Sequence, residues 1–224
     1  MLITDVRIAT AELDRAARFY RDVLELPVAV TRAAAVVTVG RSTITLVERP
    51  GIVESNHLAF TIPSNRFQDA KGWLAARLEP MRWKGTEDEL RLGEPWYSES
   101  VYFRGPDGLI LEAITRRDLH NPAAEPFSSA QFLCVSEVGL ATPDVSGTFA
   151  EIRRTFGIET FAGESPDFTT AGDQEGLLIL VTEGRPWFPT GDAQAATASL
   201  QVTIGGVAAG SVESAGWSVR SLAA

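Results

Sequence analysis

The stretch that decides the fold reads Asp5-Val6-Arg7-Ile8-Ala9-Thr10, and its pattern returns 132 residues later as Glu137-Val138-Gly139-Leu140-Ala141-Thr142. In both copies apolar residues alternate with other residues, and apolar residues then recur every three or four positions. This is the pattern of a strand that leads into a helix. In the second copy we expect the helix to begin at Thr142-Pro143-Asp144, with Thr142 as its cap, and to end at Gly157. A repeat at a fixed offset predicts a chain built from copies of one structural unit.

Two further copies are expected. His57-Leu58-Ala59-Phe60-Thr61-Ile62 alternates in the same way, and Ser64 opens an amphipathic stretch behind it. The last copy begins at residues 199–204, but the glycine-rich residues 205–210 disfavour a helix there, so this copy is expected to lack its helix. We therefore divide the chain into an intact first half at 1–117, a polar, proline-containing linker at 118–131, and a reduced second half at 132–224.

Composition and charge exclude several classes of protein. The 224 residues are 45% hydrophobic and 22% charged, which suits a globular protein, and the net charge of −9 disfavours binding to nucleic acid or to an anionic membrane. We find no apolar run of the roughly 18 residues that a membrane span requires, and no signal peptide at the N-terminus. Cys134 is the single cysteine, which excludes an intrachain disulfide and predicts a cytoplasmic protein with an inert core thiol.

Three motifs, in this order, resemble the vicinal oxygen chelate superfamily: Phe19-Tyr20-Arg21-Asp22-Val23-Leu24, His57-Leu58-Ala59-Phe60 and Gly105-Pro106-Asp107-Gly108-Leu109-Ile110-Leu111-Glu112. This group includes glyoxalase I, extradiol dioxygenases, fosfomycin-resistance transferases and bleomycin-binding proteins. The resemblance covers residues 1–117 well and residues 132–224 more weakly. It implies an α+β fold of tandem βαβββ modules that form cupped mixed sheets, with the helices outside and a cavity inside.

The resemblance also implies a divalent metal in the cavity, held by the first strand of each module and by a carboxylate on the last strand. The matching positions are Asp5, His57 and Glu112, with Glu112 as the catalytic residue, whereas a fourth position falls at Thr45, a poor ligand. Strand alternation independently places Asp5 and His57 on the face opposite the apolar rows. Glu112 lies in an otherwise apolar run, where an ionised carboxylate needs a cation or a hydrogen-bond partner.

A metal-free polar cluster of Asp5, Arg7, His57 and Glu112 is the alternative. Asp5 stands where the more usual set of two His and one Glu has a histidine, and two carboxylates would neutralise a dication and weaken it as a Lewis acid. The divalent metal is therefore either Mn²⁺, Fe²⁺, Ni²⁺, Zn²⁺ or Mg²⁺, or absent.

Several side chains are candidates for binding the substrate. Arg7 and Tyr102 would orient it, and Arg104 shares the strand face of Tyr102. Trp96 would form a lip of the cavity. Trp187, in the loop at 184–190, either packs between the halves or closes over a ligand. In the second half the matching positions Glu137, Ser199 and Arg220 do not make a metal site, and we expect Glu137 and Arg220 to form an ion pair.

Two functions follow as hypotheses. The first is a metal-dependent enzyme, a lyase, isomerase or oxygenase, acting on a small substrate with adjacent oxygens. The second is a metal-free protein of the bleomycin-resistance type that sequesters a small molecule between aromatic side chains such as Trp96, Trp187 and Phe188. The partner is a small molecule in both cases, and the repeated halves suit either a monomer that imitates a dimer or a homodimer.

Overall fold

The computed structural model describes residues 1–51, 56–83 and 85–222, and within them the chain forms two curled mixed sheets with three α-helices packed on them. The helices are α1 (Leu13–Arg18, continued by a π-helical turn at Phe19–Val23), α2 (Phe67–Ala75) and α3 (Val145–Phe156). The strands are β1 (Leu2–Thr10), β2 (Val28–Val30), β3 (Ala35–Val39), β4 (Ser42–Glu48), β5 (His57–Thr61), β6 (Leu90–Leu92), β7 (Ser98–Arg104), β8 (Ile110–Arg116), β9 (Cys134–Thr142), β10 (Thr160–Glu164), β11 (Phe168–Asp173), β12 (Gly176–Thr182), β13 (Leu200–Gly205), β14 (Gly210–Glu213) and β15 (Trp217–Ser221).

The strands fall into four modules, β1–β4, β5–β8, β9–β12 and β13–β15, which combine in an unexpected order. The seven-stranded sheet runs β14-β15-β13-β1-β4-β3-β2, and the eight-stranded sheet runs β10-β11-β12-β9-β5-β8-β7-β6. The first module therefore joins the fourth, and the second joins the third. The first strands of the paired modules meet antiparallel at the centre of each sheet, β1 with β13 and β5 with β9. Each sheet thus draws on both halves of the chain.

Local sequence accounts for most of these elements. On β1 the side chains of Val6 and Ile8 are buried while Arg7 is exposed, as the alternation predicts. The predicted cap of α3 is wrong by two residues, because Asp144 rather than Thr142 accepts the Gly147 N–H, at 2.9 Å. Gly157 ends this helix with a φ of 69°, as expected.

The helices pack on the sheet faces that carry the apolar rows. α1 contacts β3 and β4, α2 contacts β7 and β8, and α3 contacts β11, β12 and β14. The predicted loss of the fourth helix is confirmed, because β13 and β14 are joined directly by residues 206–209, and α3 reaches across to β14 instead. Cys134 is a buried free thiol in β9. In the described part of the chain, no helix combines the length and hydropathy needed to cross a membrane.

Candidate functional site

The concave face of the eight-stranded sheet carries a row of side chains set by strand register. Tyr102 on β7 pairs with Glu112 on β8, Glu112 with Ala59 on β5, and Ala59 with Glu137 on β9. Residues at one level on neighbouring strands stand on the same face, so the small Ala59 leaves room between the two glutamates. His57 lies two positions before Ala59 on β5 and therefore points to the same side.

Three ligand-type atoms converge at this row. The Nε2 atom of His57 lies 3.4 Å from an Oε2 atom of Glu112 and 3.4 Å from an Oε2 atom of Glu137. All three ligand atoms lie within 4.8 Å of one another, and the three residues are buried. A buried carboxylate pair requires positive charge nearby, because desolvation strongly disfavours the ionised form of an isolated group.

A buried guanidinium supplies part of that charge. Arg116, on β8, is fully buried, and its Nη2 atom donates a hydrogen bond to Oε1 of Glu137. Glu137 thus uses one oxygen for Arg116 and turns the other towards His57. The guanidinium carbon also lies 5.7 Å from the ring centroids of Trp96 and Phe161. Its Nε and Nη1 atoms have no hydrogen-bond partner among the described residues.

These contacts shift the pKa values of the cluster. Burial lowers the pKa of His57, but its hydrogen bonds with Glu112 and Glu137 outweigh burial and raise that pKa to about 9. Burial works to raise the pKa of Glu137, but the hydrogen bond with His57 and the charge of Arg116 lower it below its usual value. With His57 protonated, the formal charges of the cluster of His57, Glu112, Glu137 and Arg116 sum to zero.

Tyr102 completes the polar side of the site. Burial, together with the negative charges of Glu112 and Glu137, raises the pKa of Tyr102 well above its usual value. Its hydroxyl stays protonated and donates its hydrogen bond to Glu112.

The cluster opens into a cavity of about 190 Å³ with largely apolar walls. The lining side chains outside the cluster belong to Leu90, Leu92, Trp96, Ser98, Ser100, Tyr102, Ile114, Phe168, Ile179, Val181, Arg185, Pro186, Trp187 and Phe188. We call the connection between β12 and β13, residues 183–199, the strap. It brings the Trp187 ring to 5.8 Å from the His57 ring and the Phe188 ring to 5.2 Å from the Tyr102 ring, measured between centroids.

The structure brings together only some of the residues expected from the sequence. His57, Glu112, Tyr102, Trp96 and Trp187 all line this cavity.

Asp5 and Arg7 are not brought to this cavity. They lie on β1 in the other sheet, because β1 pairs with β4 and β13 rather than with β5. Asp5 accepts hydrogen bonds from Thr43 and Thr45 at 2.6 and 3.0 Å, and Arg7 is exposed. Arg104 is exposed outside the cavity, where it bonds Asp192 of the strap at 2.7 Å.

Sequence reasoning did not place Glu137 or Arg116 in this cluster. The expected ion pair between Glu137 and Arg220 is wrong: Glu137 pairs with Arg116, while Arg220 lies on β15 and bonds Thr203. The repeat could have indicated Glu137, because Glu137 occupies in the third module the position that His57 occupies in the second. Strand alternation held one for Arg116, which shares its face of β8 with Glu112.

The residues present fit a divalent metal. Two ligand atoms each about 2.1 Å from one ion, at a tetrahedral angle, are about 3.4 Å apart, which matches the spacing from His57 to either carboxylate. One imidazole and two carboxylates suit Zn²⁺, Mn²⁺, Fe²⁺ or Ni²⁺, and less so Mg²⁺. The place that corresponds to Glu112 in the third module is Ile179, which pairs with Gly139 as Glu112 pairs with Ala59. The side of the three ligand residues on which Ile179 lies is therefore apolar, and it faces the cavity.

Comparison with known proteins bears on the fold. No protein-family model and no curated protein matches this sequence. A proposed dioxygenase from Bacillus subtilis is 16% identical with a TM-score of 0.61, over 91% of this chain and 70% of its own. A variant of glyoxalase I from Zea mays is 13% identical with a TM-score of 0.58, over 98% of this chain and 91% of its own. At these identities the likeness concerns the arrangement of the chain alone.

Proposed function

We propose that this chain, which has the glyoxalase-like fold of the vicinal oxygen chelate superfamily, is a divalent-metal-dependent enzyme acting on a small substrate with two adjacent oxygens. The observation that carries the proposal is the convergence of His57, Glu112 and Glu137 on one point at the cavity wall. These three side chains would hold the ion. When bound, it would act as a Lewis acid for negative charge that develops on the substrate oxygens.

We infer roles for Glu112 and for the other cavity residues from their positions. Glu112 is the proposed catalytic carboxylate, since it lies beside both His57 and the Tyr102 hydroxyl. When the substrate binds, the Tyr102 hydroxyl would turn its single proton from Glu112 to a substrate oxygen. Trp96 and Trp187 would exclude water and pack on the carbon skeleton of the substrate. The reaction class, whether lyase, isomerase or oxygenase, stays open in this proposal.

One observation favours a second candidate, a metal-free protein that binds and sequesters a small molecule. With His57 protonated, the cluster of His57, Glu112, Glu137 and Arg116 is electrically neutral, so it satisfies its own charges without an ion. The aromatic walls suit a flat ligand equally well in this case. The two candidates differ in whether the buried cluster takes up a metal.

Metal analysis of protein purified without chelators tests the proposal. We expect about one divalent ion per chain, present from purification or after incubation with Mn²⁺, Fe²⁺, Ni²⁺ or Zn²⁺. His57→Ala should lower metal affinity by roughly 100-fold or more, because one of three ligands is lost.

Asp5→Ala is the matched control for His57→Ala. It removes a carboxylate expected from the sequence to be a ligand but located in the other sheet, so metal uptake should not change. If the wild-type chain takes up no ion after any incubation, the enzyme proposal fails and the binding protein is favoured.

A further inference from the structure

Arg116 is the buried charge that the proposed function leaves without a role. It lies at the end of β8, in a layer bounded by Trp96 and Phe161, and it contacts the metal-ligand set only through Oε1 of Glu137. Burying a guanidinium costs more than one such hydrogen bond returns, and here two of its nitrogens lack partners among the described residues. A hydrophobic side chain would stabilise this layer equally well, so the charge itself calls for an explanation.

A count of charges gives that explanation. A dication held by Glu112, Glu137 and a neutral His57 has no net charge, and such a site attracts an anionic ligand poorly. Arg116 adds one positive charge directly beside this set, because its guanidinium is paired with Glu137. The loaded site then carries a charge of +1, and low polarity around it makes that charge effective over several ångströms.

We propose that Arg116 sets the charge of the loaded site and thereby makes it a receptor for singly negative ligands that present two adjacent oxygens. This inference rests on the proposed function. It names the substrate class as a small, largely apolar or aromatic compound that binds as a monoanion, since a cavity of about 190 Å³ with aromatic walls surrounds the cluster. Arg116 acts through Glu137 and through its field, and is therefore a positioning residue.

The proposal predicts two effects of opposite sign. Arg116 repels the dication and attracts the anionic ligand. Its removal should therefore strengthen metal binding while it weakens the binding of a monoanion to the loaded protein. If Arg116 merely held Glu137 in place, its removal would weaken both.

The experiment compares the wild-type chain with Arg116→Met and Arg116→Lys. Metal affinity is measured by calorimetry with Zn²⁺. Affinity of the zinc-loaded protein is then measured by ultraviolet absorbance for tropolone, a monoanion with adjacent oxygens, and for its uncharged methyl ether. For Arg116→Met we expect roughly tenfold tighter zinc binding and roughly tenfold weaker tropolone binding. Affinity for the methyl ether should stay unchanged, and Arg116→Lys should restore both values.

Arg117→Met serves as the matched control, because Arg117 is the adjacent and exposed arginine. Circular dichroism checks folding of each variant, and Arg116→Gln provides the same comparison if Arg116→Met does not fold. Loss of affinity for zinc, tropolone and the methyl ether together would overturn the inference, and so would an unchanged affinity for tropolone. A wild-type chain that binds no zinc, by contrast, would remove the proposed function itself.

Discussion

The proton on His57 links the candidate metal site to pH. With a pKa of about 9, His57 is protonated at pH 7 in the metal-free protein, and a metal can bind its Nε2 atom only after that proton leaves. We therefore expect metal binding to release about one proton at pH 7. Affinity should rise up to about tenfold per pH unit below pH 9 and level off above it. Calorimetry in buffers of different ionisation enthalpy measures the number released.

Glu112→Gln keeps the shape of the site but removes one of the two hydrogen-bonded carboxylates that raise the pKa of His57. Metal binding by this variant should be weaker and less dependent on pH. Uptake of the metal by the wild-type chain at pH 7 without proton release would show that His57 is neutral or is not a ligand.

Residue-level reasoning from the sequence predicted two of the three candidate metal ligands, and it predicted neither Glu137 nor Arg116 at this site. Glu112 was found because an ionised carboxylate in an apolar strand needs a partner, and His57 because it begins a strand with its polar face towards the cavity. Asp5 was chosen over Glu137 because both begin equivalent strands, and residue type and alternation do not distinguish them. Only the pairing of β5 with β9 does so, and that pairing joins residues about 80 positions apart.

At the scale of elements, the position of the strap depends on the absence of a side chain at Gly139. A Cβ atom built on Gly139 of β9 would lie 2.4 Å from the Trp187 ring and 2.9 Å from the side-chain oxygen of Asn56. Gly139→Ala should therefore displace Trp187 from the cavity and destabilise the protein by about 1–3 kcal/mol. Urea unfolding measures the loss of stability. Tryptophan fluorescence reports the displacement of Trp187, and this change in fluorescence should disappear in a Trp187→Phe background.

The helix α2 offers a matched control for Gly139→Ala. A Cβ atom on Gly72 meets nothing within 4 Å, and the residue lies in the helix interior, so Gly72→Ala should stabilise the protein by about 0.5–1 kcal/mol. If both variants raised stability alike, the contact between Gly139 and Trp187 would not restrict the strap.

The strands and helices could be predicted from the sequence more readily than the pairing of strands within each sheet. Alternation located β1 and β5, and the glycine-rich residues 205–210 predicted the missing fourth helix, because these are local effects of side chains on their own backbone. Which sheet a strand joins depends instead on packing between distant segments. We predicted that the strands of residues 1–117 line one cavity. No local feature of the sequence indicates that β1 joins the other sheet.

At the scale of the whole molecule, the boundaries at 118–131 mark a sequence repeat, and from the pairing of strands we expect that they do not mark independent folding units. A fragment of residues 1–131 would lack β13 beside β1 and β9 beside β5, so that two strands that are central in the complete sheets would have unpaired edges. We expect this fragment and residues 132–224 each to aggregate or self-associate when produced alone.

Produced together, the two fragments should form a complex with the circular dichroism and metal affinity of the intact chain, because Glu137 again reaches His57. Size-exclusion chromatography of the fragments, with the intact chain cleaved within 118–131 as the control, tests this. A folded, cooperatively unfolding monomer of residues 1–131 would show instead that the first half is a domain in its own right.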